Sequence, residues 1–177
     1  PTGGTRKTGE RNTVPRLVVE DGRLVPLALP AAESTRRFGA PHGVQATIAL
    51  PFSEVVTISR HLGVRRLHAE LTRAALDEIR DAATPPPAAT DALGRSAQRF
   101  EMVVEARRGA VLRTAVARGQ DIYAVSAPLV VEAAARLLRP GAVRPGALAL
   151  GQAFDALDFL RALAPDPLAI ELPAAAA

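Results

Sequence analysis

The stretch RFEMVVEARRGAVLRTAVARGQDIYAVSAPLVVEAAARLL, residues 99–138, decides how the chain is read. Its first half holds two strand-like segments, Arg99 to Arg107 and Ala110 to Arg118, joined at Arg108-Gly109. Alternation along the first segment predicts a hairpin with Phe100, Met102, Val104 and Ala106 on the buried face. In the second half Ile122, Val125, Leu129, Ala133 and Leu137 follow helical spacing. Pro128 interrupts that run, which predicts a helix starting near Ala127 with Pro128 at its first position, where the missing N–H costs little. Between the halves lies a polar junction with Asp121, Tyr123 and Ser126 at the mouth of the helix. Unpaired backbone N–H groups and the positive end of the helix dipole meet there.

Working outward, Leu17-Val18-Val19 and Leu24-Val25-Pro26-Leu27 flank Asp21-Gly22, a short-range hairpin signal. Pro26 lacks a ladder donor, so the second arm reads as an edge strand. Val44, Ala46, Ile48 and Leu50 alternate with Gln45 and Thr47, predicting a half-buried strand stopped by Pro51. Ser53 then reads as the cap of a helix carrying Val55, Ile58 and Leu62 and ending at Gly63. Arg65 to Thr72 alternates again, and Arg73 to Ala83 has helical composition. The prolines of Thr84 to Thr90 exclude a helix and predict a surface loop. A helix over Asp155 to Leu163 and a strand over Leu168 to Leu172 complete the count. The expectation is an α+β domain with a mixed, largely antiparallel sheet and helices packed on one face. Residues 1–16 read as a flexible loop or interdomain stump, 17–172 as a single substrate or oligomerisation domain, and 173–177 as a frayed tail.

Composition narrows the function classes. Hydrophobic residues make up 48% of the 177, enough for a core, but only 3% are aromatic and tryptophan is absent, which argues against a base-stacking nucleic-acid surface. The net charge of +4 is carried almost wholly by arginines interleaved with acids, with Lys7 the only lysine, and forms no basic stripe. Without cysteine there is no thiol catalysis, disulfide or thiolate metal site. No apolar run is long enough to span a bilayer, and no signal-peptide pattern opens the chain; a cytoplasmic protein is expected. The sequence begins at Pro1 without an initiator methionine, which reads as an upstream segment removed or left out.

Alternation places Gln45, Thr47, Arg66, His68, Glu70, Glu101, Glu105 and Arg113 on the second face of the sheet. That face is either a solvated or dimer-forming surface or the wall of a substrate cleft, in which arginines clamp carboxylates; Arg66, His68 and Glu70 are the candidate substrate-binding residues. His42, His61 and His68 form no ligand pair at helical spacing, so no metal site is expected. Tyr123 and Asp121 are the candidate catalytic residues, a tyrosine hydroxyl being able to donate a proton or support an oxyanion. Thr2-Gly3-Gly4-Thr5 offers backbone donors to an anion, but there is no G-x-G-x-x-G anywhere in the chain.

Four pieces in order, Pro1-Thr2-Gly3-Gly4-Thr5, Pro51-Phe52-Ser53-Glu54-Val55-Val56-Thr57, Gly119-Gln120-Asp121-Ile122-Tyr123-Ala124-Val125-Ser126-Ala127-Pro128 and Phe154-Asp155-Ala156-Leu157-Asp158-Phe159-Leu160, resemble the C-terminal half of saccharopine dehydrogenase-like oxidoreductases. The resemblance is collinear over almost the whole chain, and the Asp-x-Tyr junction with its helix is its most specific element. It implies a substrate-side and dimerisation domain working with a Rossmann half that binds NAD or NADP, with Thr2, Gly3, Gly4 and Thr5 near the cofactor cleft. That half is missing here and would have to come from a longer chain or a separate one. This segment alone is expected to bind no cofactor and to be inactive. The expected partners are the Rossmann domain, a second copy in a homodimer and a small-molecule substrate, with no nucleic acid and no membrane. The alternative is a non-catalytic binding or assembly module that uses the charged sheet face.

Overall fold

The computed structural model describes residues 15–139, 141 and 145–173. They gather into two compact units that divide between Pro86 and Pro87, inside the proline run. The fold class is α+β, and every strand pairing among the described residues is antiparallel. Most of the 1–16 segment, with Thr2, Gly3, Gly4 and Thr5, lies outside the described residues, as does the tail beyond Pro173.

The first unit opens with strands β1 (Leu17–Glu20) and β2 (Arg23–Pro26). Asp21 (φ 47°) and Gly22 (φ 79°) both take positive φ, as a type I′ turn requires, and this sets Glu20 opposite Arg23. Pro26 sits on β2, whose one sheet neighbour among the described residues is β1. A three-stranded sheet follows, with β3 (Glu33–Arg37), β4 (Val44–Ala49) and β5 (Glu70–Thr72) in the order β3-β4-β5. The strand expected over Arg65 to Thr72 serves both sheets. Leu67 exchanges two 3.0 Å backbone bonds with Val19, while Glu70–Thr72 pairs with β4.

Helix α1 (Ser53–Ser59) has Phe52, not Ser53, at its N-cap position and no side-chain cap bond, while the Glu54 carboxylate accepts the Phe52 N–H at 2.8 Å. It stops short of Leu62, which is half exposed, and sinks Val55 completely into the core. Helix α2 (Arg73–Arg80) is capped by the Thr72 hydroxyl and buries Leu76. The expected burial along β4 is inverted. Val44 and Ala46 are exposed, whereas Thr47 and Ala49 are buried. Thr47 is covered because its hydroxyl has polar partners on the neighbouring strands, which removes the usual cost of burying it.

The second unit is built on β6 (Arg99–Arg108), β7 (Val111–Gln120) and β8 (Leu168–Glu171), in the order β6-β7-β8. Gly109 (φ 59°) and Ala110 form the two-residue turn, and a glycine at the first turn position with positive φ suits type II′. Register puts Phe100, Ala117, Gly119, Leu168 and Ile170 on one face. Helices α3 (Ile122–Leu137) and α5 (Ala156–Ala162) pack there, enclosing Val125, Phe159, Leu163 and Leu168. A single turn, α4 (Leu150–Ala153), precedes α5 and delivers Phe154, whose ring stacks on Phe159 at 5.4 Å.

Two expectations in this unit are corrected. Only Phe100 of the four predicted inward residues reaches the core; Met102, Val104 and Ala106 are exposed. β8 pairs only with Val116–Gly119, so the outer half of the hairpin extends past its third strand. Helix α3 begins at Ile122, not near Ala127, and Pro128 lies inside it. The Asp121 cap starts the helix early enough that Pro128 falls in its second turn, at the expense of one intrahelical bond.

Candidate functional site

Register assembles the residues singled out from sequence into three places, not one face. Gln45, Thr47 and Glu70 lie on the β3-β4-β5 sheet, Arg66 and His68 on the segment shared with β1, and Glu101, Glu105 and Arg113 in the second unit. Even within the β6-β7 hairpin, Arg113 pairs with Ala106 and so faces away from Glu101 and Glu105. The single charged surface is thereby corrected: the alternation slips across each turn.

Arg66 and His68 converge on a residue that sequence reading had not singled out. The β1 hairpin carries Glu20, whose carboxylate receives Arg66 Nε at 3.2 Å on one oxygen and His68 Nε2 at 2.8 Å on the other. These two donors hold the Glu20 carboxyl below the usual carboxylate range, against the opposing effect of desolvation. A carboxylate on Nε2 selects the tautomer with the proton there, leaving Nδ1 of His68 as an acceptor. His68 and Glu20 border a cavity of about 340 Å³ whose other walls are apolar, among them Val18, Val25, Leu27, Pro30 and Ala49. The signal for Glu20 was its place beside the Asp21-Gly22 turn, which could be read only once β1 was known to pair with Leu67.

Glu70, the third candidate substrate ligand, is engaged elsewhere. It takes a two-pronged contact from Arg36 (3.0 and 2.9 Å) and bonds to Thr47 Oγ1 (2.6 Å) and Ser34 Oγ (2.9 Å). The Arg36 guanidinium above all, helped by the two hydroxyls, pulls its pKa from 4.5 to about 2. With its lone pairs spent on protein donors, Glu70 ties three strands together. Strand β3, which supplies Ser34 and Arg36, is too polar to announce itself by alternation.

The Asp121-Tyr123 junction is likewise a structural knot. Asp121 Oδ1 caps α3 by accepting the N–H of Tyr123 and of Ala124, each at 3.1 Å, while Oδ2 accepts the Ser96 N–H at 2.8 Å. The Ser96 bond foremost, then the two cap bonds, hold this buried carboxyl below its ordinary range. The loop before β6 is pinned to the same point, with Gln120 Nε2 donating to the Ser96 carbonyl at 2.9 Å and Asp91 folding that loop around Arg95. Tyr123 is half exposed on the first turn of α3.

Among the described residues no group of three or more His, Asp or Glu side chains could hold a metal ion, and no helix is long and apolar enough to cross a membrane. Comparison with protein-family models, with curated proteins and with solved structures finds no match.

Proposed function

We propose that this chain is the substrate-side and dimerisation domain of a cytoplasmic NAD(P)-dependent oxidoreductase resembling saccharopine dehydrogenase, acting on a small molecule. The observation that carries the reading is His68, oriented by Glu20 at the edge of an apolar hollow. Substrate would enter that hollow apolar end first and meet Nδ1, which can take a proton from a hydroxyl or amine, or return one, while Glu20 stabilises the imidazolium. Arg66 balances the Glu20 charge.

The described residues do not fit a dinucleotide. The strand-to-helix connections, β4 to α1 through Leu50–Phe52 and β7 to α3 at Asp121, contain no glycine-rich phosphate loop. The cofactor, which when bound supplies hydride exchange, therefore belongs to a Rossmann half from elsewhere. Capturing the polypeptide as its source cells translate it and titrating it calorimetrically with NADPH and with NADH tests the reading. Saturable binding of one of them is expected, and no heat with either refutes it.

A second reading, a non-catalytic assembly module, is favoured by the exposed outer half of the β6-β7 hairpin. The same titration separates the two.

A further inference from the structure

The outer half of the β6-β7 hairpin reaches past β8, which pairs no further out than Val116. From Val104 to Thr114 every residue is exposed, so both faces of the ribbon are open there. Behind the Gly109-Ala110 turn the first three rungs are Arg108 with Val111, Arg107 with Leu112, and Ala106 with Arg113. Alternation puts Arg108, Val111 and Arg113 on the face that carries Phe100 further in, and Arg107 and Leu112 on the opposite one. Each face of the tip therefore shows a guanidinium beside an apolar side chain, Val111 (58% exposed) on one and Leu112 (45% exposed) on the other.

These arginines are also unspent. Among the described residues no ion pair engages Arg107, Arg108 or Arg113, whereas Arg36, Arg118 and Arg136 are each held by a carboxylate. The nearest acid along the ribbon, Glu105, stands on the fourth rung opposite Thr114. That is about 10 Å behind the first rung.

A tip that is cationic and apolar on both faces restricts what can cover it. A protein seated on one face leaves Val111 or Leu112 in water, and a nucleic-acid backbone pairs with the arginines but not with the apolar side chains. A medium that is anionic at its surface and apolar just beneath meets both groups all round the tip. We propose that the β6-β7 tip docks on an anionic lipid surface, with Ala110, Val111 and Leu112 entering the boundary between headgroups and acyl chains and Arg107, Arg108 and Arg113 meeting the lipid phosphates. The three rungs span about 7 Å, within the roughly 5–10 Å depth of such interfacial contacts. Flexible arginine stems let the charges reach back to the phosphates, and Glu105 stays outside. At this depth water still reaches the backbone of the turn. No helix of the described residues is long and apolar enough to cross a membrane, and peripheral docking needs none. The proposal goes beyond the oxidoreductase reading and uses none of its site residues.

Co-sedimentation of the protein with vesicles tests it. The protein is expected to pellet with phosphatidylcholine vesicles containing about one-third phosphatidylserine and not with pure phosphatidylcholine, and added salt should release it. Arg107→Gln, Arg108→Gln and Arg113→Gln should each weaken binding about fivefold, the loss expected for one cation near such a surface. Val111→Ser combined with Leu112→Ser keeps every charge and should weaken binding about tenfold or more. Arg23→Gln, at an exposed arginine on the β1-β2 hairpin, should change nothing. All these positions are exposed, and matching far-ultraviolet circular dichroism spectra verify that each variant is folded. Equal pelleting with the two kinds of vesicle, indifference to the two serines, or an Arg23→Gln loss as large as those at the tip overturns the proposal. A protein that ignores both vesicles and binds a duplex oligonucleotide through the same arginines overturns it too, assigning the tip to nucleic acid. None of these readouts involves the nucleotide titration, so lipid docking and the oxidoreductase reading fail or stand separately.

Discussion

Replacing Asp121 with alanine removes three interactions at one point. The helix loses its cap on α3, worth about 1–2 kcal/mol. The Ser96 N–H, 2.8 Å from Oδ2, loses its acceptor in a buried place, which costs a further 1–3 kcal/mol or so. Asp121 also sits at φ 56°, where aspartate is tolerated and a plain Cβ residue costs about 1 kcal/mol. These effects share neighbours and will not add fully. A loss of roughly 3–5 kcal/mol is expected, a large fraction of the roughly 5–15 kcal/mol that holds an ordinary domain together. Asp121→Asn keeps the helix cap and tolerates positive φ, but turns a donor or nothing toward Ser96, so it should lose only about 1–3 kcal/mol. Urea unfolding followed by far-ultraviolet circular dichroism reads both. If Asp121→Ala unfolds within about 0.5 kcal/mol of wild type, the structural reading of the junction is wrong and a chemical role for this carboxylate comes back into view.

Three further outcomes are expected. Glu70→Gln should lower stability at neutral pH by about 1–2 kcal/mol, the figure being cut by solvent screening of a partly exposed pair. The folded pKa of Glu70 lies below the unfolded value, so its contribution is complete above pH 4.5 and is lost as pH falls toward about 2; wild-type and variant unfolding curves should therefore converge over that interval, and a constant gap would refute the assignment. Gly119→Ala should cost about 1–3 kcal/mol, because a Cβ there would lie 2.7 Å from the Phe100 ring and 3.1 Å from the Pro167 carbonyl; Phe100→Leu in the same background should recover part of the loss in thermal unfolding. Long-range proton–nitrogen spectra above the histidine titration range should show His68 protonated on Nε2, with the preference lost in Glu20→Ala; a predominant Nδ1–H form in the wild type would contradict the Glu20–His68 geometry.

What could be read from the sequence divides along physical lines. The Asp21-Gly22 hairpin, the short α1 helix and the β6-β7 pair rest on local chemistry, in turn residues and helix punctuation, and the structure has each of them in place. Burial was harder. Alternation along β4 marked Thr47 as the solvent side, but its partners Ser34 and Glu70 come from strands 13 and 23 residues away, and only register brings them together. The same holds for α3: Pro128 looked like a helix start because proline usually is one, and the stronger signal was a carboxylate seven residues earlier with three N–H groups to accept. The polar junction at the helix mouth pointed at Tyr123 and Asp121, whereas the imidazole held by a carboxylate, His68 on Glu20, is in the other unit.

The two carboxylates show why pattern and chemistry part company here. Asp121 has a recognisable setting because a helix cap is local: the acceptor and two of its donors are within three residues, so the sequence around it is constrained and looks like a motif. Glu20 has its partners 46 and 48 residues away, and nothing in its neighbourhood needs to look special. The locally constrained carboxylate accepts three backbone N–H groups, which ties the start of α3 to the loop before β6. The distant pairing sets His68 and Glu20 side by side at the wall of a largely apolar hollow. For this chain a local motif is legible in sequence, whereas a pairing made by strand register joins residues that have no sequence signature in common.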